Sequence, residues 1–188
     1  MSIIVRLVGA AMLMAAAPAL SQAMPHVADR GQRPLYPAEQ EWLTTHNAER
    51  EALGLERLRW NHDLRRDALA WAENLAARGA FEHAPNLFQI GQGENLWIGD
   101  AGRFAPWQMI DLFLDERRMF RPGIFPEVSR SGRWKDVGHY TQIIWPDTRE
   151  VGCASATNGR KEVLVCRYWP AGNVLGYRLD PAPRLTRR

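Results

Sequence analysis

Two short β-type segments, roughly 150–156 and 162–168, flank an Asn158-Gly159 turn signal, and each carries one of the chain's two cysteines. That arrangement constrains the fold more than any other stretch, because the length of the turn decides which residues face one another. A two-residue Asn-Gly turn sets Cys153 opposite Leu164. Cys166 then lies one diagonal away, at roughly 7–8 Å, beyond the reach of an unstrained disulfide. A four-residue loop from Asn158 to Lys161, or a bulge, brings Cys153 opposite Cys166. The wider loop with a Cys153–Cys166 bridge is the favoured pairing, and such a bridge stabilises by roughly 2–4 kcal/mol.

A disulfide needs an oxidising compartment, and the N-terminus reads as the means of reaching one. Arg6 precedes an apolar run from Leu7 to Leu20, and Ser21-Gln22-Ala23 is a small-x-small cleavage signal. Residues 1–23 therefore read as a secretory signal peptide, with the product secreted or periplasmic. The run is short of the roughly 20 residues a spanning helix needs, so no stable membrane anchor is expected. Removing it leaves 188 − 23 = 165 residues, enough for one domain with a substantial core. The net charge is +3, and only Lys135 and Lys161 among the 24 basic residues are lysine. The arginines are scattered among acids, as in Arg65-Arg66 and Arg117-Arg118, which argues for a solvated surface and no nucleic-acid partner.

Residues 24–36 show no periodicity and read as a flexible lead-in. Pro37 suits the first position of a helix running to about Leu53, with Gly54 as its stop. Asn61 is an N-cap candidate for a second helix whose apolar stripe is Leu64, Ala68, Trp71 and Leu75, ended by Gly79. A glycine-punctuated stretch then holds one strand at Glu94–Ile98. A third helix is expected from near Pro106 to about Phe120, followed by a loop over 121–135. A short helix from Val137, with Asp136 as N-cap candidate and Trp145-Pro146 as terminator, carries His139. The hairpin follows, and an extended piece runs through Tyr177 before a tail at 181–188.

Four polar residues stand in contexts that call for an explanation. Glu116 falls three residues after Phe113 and four before Phe120, on a shared helical face. A carboxylate there is costly to bury unless compensated, so it either tilts out beside Arg117 or points into a cavity. Glu94 opens an apolar strand behind Gly91-Gln92-Gly93. His83 follows the second helix in Phe-Glu-His-Ala-Pro, and His139 sits among apolar neighbours, as a packed core residue or a ligand. Eight tryptophans read mostly as core; Trp97, Trp107 and Trp134 could line a groove, with packing the expectation for each.

Four segments in order connect these residues. Gly-His-Tyr-Thr-Gln-Ile-Ile-Trp at 138–145 and Val-Leu-Val-Cys-Arg-Tyr-Trp-Pro-Ala-Gly-Asn at 163–173 resemble the two signature motifs of the CAP superfamily, or SCP domain. This is the family of cysteine-rich secretory proteins, antigen five and pathogenesis-related proteins. Thr-His-Asn-Ala-Glu-Arg at 45–50, with Leu58-Arg59-Trp60, and Gly-Glu-Asn-Leu-Trp at 93–97 also fit. The resemblance runs from about Trp42 to Tyr177 and suggests a bacterial-type single-domain member, with the domain at 37–180.

The resemblance implies an α+β fold, a three-layer α-β-α sandwich with a mainly antiparallel central sheet. It also implies a cleft lined by His83, Glu94, Glu116 and His139. His83 and His139 would hold a divalent metal, zinc first, with the two carboxylates nearby directly or through water. A lipid or sterol ligand in an apolar groove is a further expectation. The alternatives are a surface or cell-wall interaction protein with a vestigial cleft, and a metal-dependent hydrolase using Glu94 or Glu116 as general base. Ser129, Ser131 and Thr141 are nucleophile candidates by closeness in sequence alone, so binding ranks above catalysis. His46 beside Asn47 matches a family pair and reads as structural, bonding between the first helix and the loops. The chain departs from the family at Val137, where relatives often carry cysteine, and at Phe113 and Phe120, where tryptophan and tyrosine are frequent. With two cysteines in the sequence, no cysteine-rich C-terminal module is expected.

Overall fold

Helix α1, Pro37–Ala52, begins where proline supplies a preset φ, and the Glu39 carboxylate accepts from Tyr36 N at 2.9 Å to close its first turn. The computed structural model describes residues 33–181; the signal-peptide reading at 1–23, the lead-in through residue 32 and the tail from 182 lie outside the described residues. A two-residue strand β1 (Arg59–Trp60) leads into α2 (His62–Arg78). Asn61 Oδ1 caps α2 by accepting from Asp63 N and Leu64 N, and Gly79 ends it in the left-handed region at φ 63°. The sequence anticipated both ends.

The remaining elements are β2 (Gly93–Asp100), α3 (Pro106–Leu114), a 3₁₀ turn at Asp115–Arg118, β3 (Gly123–Ile124), a second 3₁₀ turn at Trp134–Asp136, α4 (Gly138–Ile143), β4 (Glu150–Thr157), β5 (Lys161–Trp169) and β6 (Arg178–Leu179). The main sheet has the order β1-β4-β5-β2. Its β4–β5 and β5–β2 ladders are antiparallel, while the short β1 pairs parallel with β4, so the sheet is mixed. The hairpin takes the wider loop: Thr157 faces Glu162 and Cys153 faces Cys166, joined as a disulfide with Cα atoms 4.1 Å apart.

Strand alternation sorts the core into two layers. Leu96, Ala154, Val163 and Val165 face Ala68, Ala72 and Leu75 of α2. On the other face Val151, Cys153, Leu164, Cys166 and Tyr168 join Trp42, Ile110, Phe113 and Ile143 of α1, α3 and α4. That is an α-β-α sandwich. The first turn of α2 lies directly on β4 at Gly152, where an added Cβ would stand 2.3 Å from Arg65 N and 2.5 Å from Asn61 O.

Three expectations change. The third α-helix stops at Leu114 and tightens into a 3₁₀ turn, because Asp115-Glu116-Arg117-Arg118 offers no apolar side chain to hold another α-turn to the core. Asp136 does not cap α4: it accepts from Ser131 and Arg133, and Val137 occupies the cap position with no side-chain bond of its own. Trp97 is buried as expected, but Trp107 and Trp134 are 48% and 39% exposed, standing on the first turn of α3 and in the loop before α4.

Candidate functional site

The 3₁₀ turn after α3 aims Glu116 at the start of α4. Its Oε2 accepts from His139 N at 3.0 Å and Tyr140 N at 3.1 Å, taking two of the amide donors a helix start leaves open. Its Oε1 lies 2.6 Å from His139 Nδ1. The Phe113 ring stacks on the imidazole with centroids 4.7 Å apart, and Asn95 Nδ2 donates to His139 O at 3.1 Å. Glu116 therefore supplies from another element the cap that α4 lacks, and fixes the His139 ring in the same contact.

A second pair forms on the α2 side of the sheet. Glu94 Oε1 accepts from Ala84 N at 3.0 Å and lies 2.7 Å from His83 Nδ1. The Glu94 side chain is fully buried and its cross-strand neighbour is Arg167, whose Nε stands 2.9 Å from Oε2. The two are paired by charge without hydrogen-bond alignment at those atoms. Arg167 Nη1 also donates to Gln92 Oε1, and Gln92 Nε2 to Asp67. Burial pulls the Arg167 guanidinium below its usual range, against the raising effect of the Glu94 charge.

Both imidazoles are thus held in the same way. A carboxylate takes the Nδ1 side as acceptor, so Nδ1 carries a proton and, in the neutral ring, Nε2 keeps a free lone pair. His83 and His139 line one cavity of about 400 Å³, with Glu94 and Asn95 behind them and Phe81, Trp134, Lys135 and Asn173 around them. Glu116 does not line it; the fold places this carboxylate behind His139. The residues come from both outer layers, meeting beside the edge strand β2.

Among the described residues, one group of three or more potential ligands lies within 4.8 Å: His46, Cys153 and Cys166. It is not a ligand set, since the cysteines form the disulfide and both His46 nitrogens are engaged. Nδ1 lies 2.7 Å from Trp42 O and Nε2 2.8 Å from Tyr168 Oη. A carbonyl only accepts, so Nδ1–H donates to it and the Tyr168 hydroxyl donates to Nε2. Tyr168 in turn accepts from Asn95 Nδ2 at 3.1 Å. Burial holds the His46 imidazole down to about 4, with the nearby Arg50 charge acting in the same direction. His46 is structural, as expected, but it reaches the sheet, while Asn47 bonds the loop through both backbone groups of Leu58.

Arg167, Asn95 and Lys135 were not singled out by sequence reasoning. The signal for Arg167 was present: it continues the buried Val163–Val165 alternation as a charge. Its partner becomes visible only once β5 is known to pair with β2.

The fold agrees with what similarity to known proteins shows. Residues 43–168 match the family model described as CAP, cysteine-rich secretory protein family. The chain is 29% identical over 140 residues to pathogenesis-related protein 1B of Nicotiana tabacum, covering 74% of this chain and 79% of the relative. It is 29% identical over 142 residues to pathogenesis-related protein PRMS of Zea mays, covering 73% and 79%. Among solved structures it resembles BmVAL-1 (TM-score 0.64, 24% identity, covering 81% of this chain and 85% of that one). It also resembles NaASP2, crystallised with Zn2+ (TM-score 0.63, 22% identity, covering 75% and 83%).

Proposed function

The chain belongs to the CAP family of cysteine-rich secretory proteins, and we propose that it is an exported binding protein whose cleft takes a divalent cation on His83 and His139, zinc first. The observation that carries this reading is the shared orientation of the two histidines: each has Nδ1 on a carboxylate, at 2.7 and 2.6 Å, and Nε2 free beside one cavity. Neutral imidazole with its second nitrogen held by a carboxylate is the donor arrangement that suits zinc. Glu94 and Glu116 orient the two imidazoles. A bound cation would supply a Lewis-acidic centre with open positions for water or an oxygen ligand. NaASP2 crystallised with Zn2+ is a further reason to test zinc before other ions. The disulfide suits an oxidising compartment and supports export.

Binding is favoured over hydrolysis because the candidate hydroxyls do not line the cavity and are hydrogen-bonded elsewhere. Ser129 and Ser131 bond each other, and Ser131 bonds Asp136. Thr141 Oγ1 bonds Gly138 O and Asn173 Oδ1. Phe81 and Trp134 give the cavity apolar walls, which favours a lipid or sterol as the organic ligand. Calorimetry with zinc on the exported protein and on His83→Ala/His139→Ala tests the cation site: saturable heat from the first and none from the second is expected, and equal heats discard it. Mass spectrometry of a solvent extract tests the organic ligand, and an extract without co-purified lipid favours a surface-interaction role.

A further inference from the structure

We propose that the three loops around the cleft mouth form a docking surface for an anionic lipid bilayer. Among the described residues, seven of the twelve exposed large apolar side chains fall on three connections, 80–92, 121–137 and 170–177. Phe81, Phe88 and Ile90 lie on the loop between α2 and β2, Trp134 and Ile124 between α3 and α4, and Val174 and Leu175 after β5. Phe88 and Leu175 are 93% and 75% exposed, so they stand out into solvent. Backbone bonds lace the loops together: Ala171 N donates to Gly91 O and Gly176 N to Phe125 O, each at 2.9 Å. Phe81 and Trp134 belong to the cavity wall itself. The apolar patch and the cleft opening are therefore one surface.

Charge selects the occupant. Between residues 121 and 135 stand Arg121, Arg130, Arg133 and Lys135 against a single acid, Glu127. Arg133 pairs with Asp136 at 3.0 Å, whereas Arg121, Arg130 and Lys135 have no carboxylate partner among the described residues. All three are exposed. Exposed apolar tips and unpaired cations, two of the tips carried with the cations on the same connection, match a bilayer, which presents anionic phosphate above hydrocarbon, and tryptophan favours the boundary between the two. One apolar patch with a few cations gives reversible attachment. A docked cleft would open toward the lipid, where an apolar ligand enters or leaves without crossing water.

The inference does not rest on the cation site, and the test keeps the two apart by working in EDTA. The exported protein, its N-terminus read by mass, is floated with vesicles of phosphatidylcholine with and without phosphatidylglycerol. Binding is expected to the anionic vesicles and to weaken with salt. Phe88→Ser/Leu175→Ser should lose at least roughly tenfold in partitioning. Replacing Arg121, Arg130 and Lys135 by serine should lose roughly fivefold per cation. All five side chains are exposed, so an unchanged melting midpoint certifies the fold. Absence of binding, or equal binding by wild type and variants, overturns the proposal. So does a dimer that Phe88→Ser/Leu175→Ser dissociates without any vesicle binding, which would make a second copy the occupant.

Discussion

Acid should destabilise this protein through one buried histidine by an amount the structure sets. His46 is enclosed between α1 and the sheet, donating from Nδ1 to Trp42 O and accepting at Nε2 from Tyr168. Burial, helped by Arg50, lowers its pKa from 6.5 to about 4. The unfolded chain takes up the proton near 6.5, while the native state refuses it until about 4. Between those values the unfolded state binds more protons, so stability falls as pH falls, by roughly 1.4 kcal/mol per unit. Across the gap from 6.5 to about 4, this gives about 3 kcal/mol, present in full above the upper value and lost by the lower one. Urea unfolding of wild type and His46→Gln, at steps from about pH 7 to about pH 4, isolates the contribution. Every other titrating group cancels in the difference between the two proteins. That difference should shrink by about 3 kcal/mol toward acid; a constant difference refutes the assignment of His46 as the neutral, Nδ1-protonated species.

Four further outcomes are expected. Arg50 is fully buried and donates to Glu56 O, Ile143 O, Trp145 O and Thr148 O, so Arg50→Met, which orphans these carbonyls, should cost about 3–5 kcal/mol by equilibrium denaturation. Gly152→Ala drives a methyl into the α2 backbone and should cost at least about 1–3 kcal/mol, read as a drop in urea midpoint. Cys153→Ala/Cys166→Ala removes a bridge between residues 13 apart and should cost about 3 kcal/mol, checked against the reduced wild type. Glu116→Gln cannot accept at both oxygens, so one amide donor must face either His139 Nδ1–H or the α4 amides; zinc affinity by calorimetry should fall roughly 10- to 100-fold.

The sequence exposed those features of the fold that are local. Proline at the start of α1, the Asn61 cap and the Gly79 stop each act within a turn of the residue that carries them, and the structure puts them where the pattern does. The hairpin register was also legible, because only the wider loop lets the two cysteines face each other. Where the sequence misled, the deciding contact was remote. Asp136 had the chemistry of a cap, but Glu116, 20 residues earlier, supplies the charge to the amides of α4. Trp107 and Trp134 read as core because tryptophan usually is; their exposure depends on where α3 and the loop before α4 meet solvent. His83, Glu94, Glu116 and His139 were nameable from motif order. Their pairing as His83 with Glu94 and His139 with Glu116 was not, because it depends on two layers closing over β2.

The same layers connect the acid-sensitive core to the cleft, and the direction of each hydrogen bond is forced. Trp42 O can only accept, which places the His46 proton on Nδ1 and leaves Nε2 to accept. Tyr168 must then donate to His46, so its oxygen is free to accept from Asn95 Nδ2. The same Asn95 nitrogen donates to His139 O, fixing the first turn of α4 from beneath while Glu116 holds it from the side. Protonating His46, below about 4, turns its acceptor into a second donor, and Tyr168 must then turn its proton elsewhere. Asn95 loses the oriented acceptor that holds its amide toward the cleft. Between 6.5 and about 4 the native state keeps His46 neutral, so core stability falls first while the contacts that place His139 persist, and cleft geometry should be lost only below about 4.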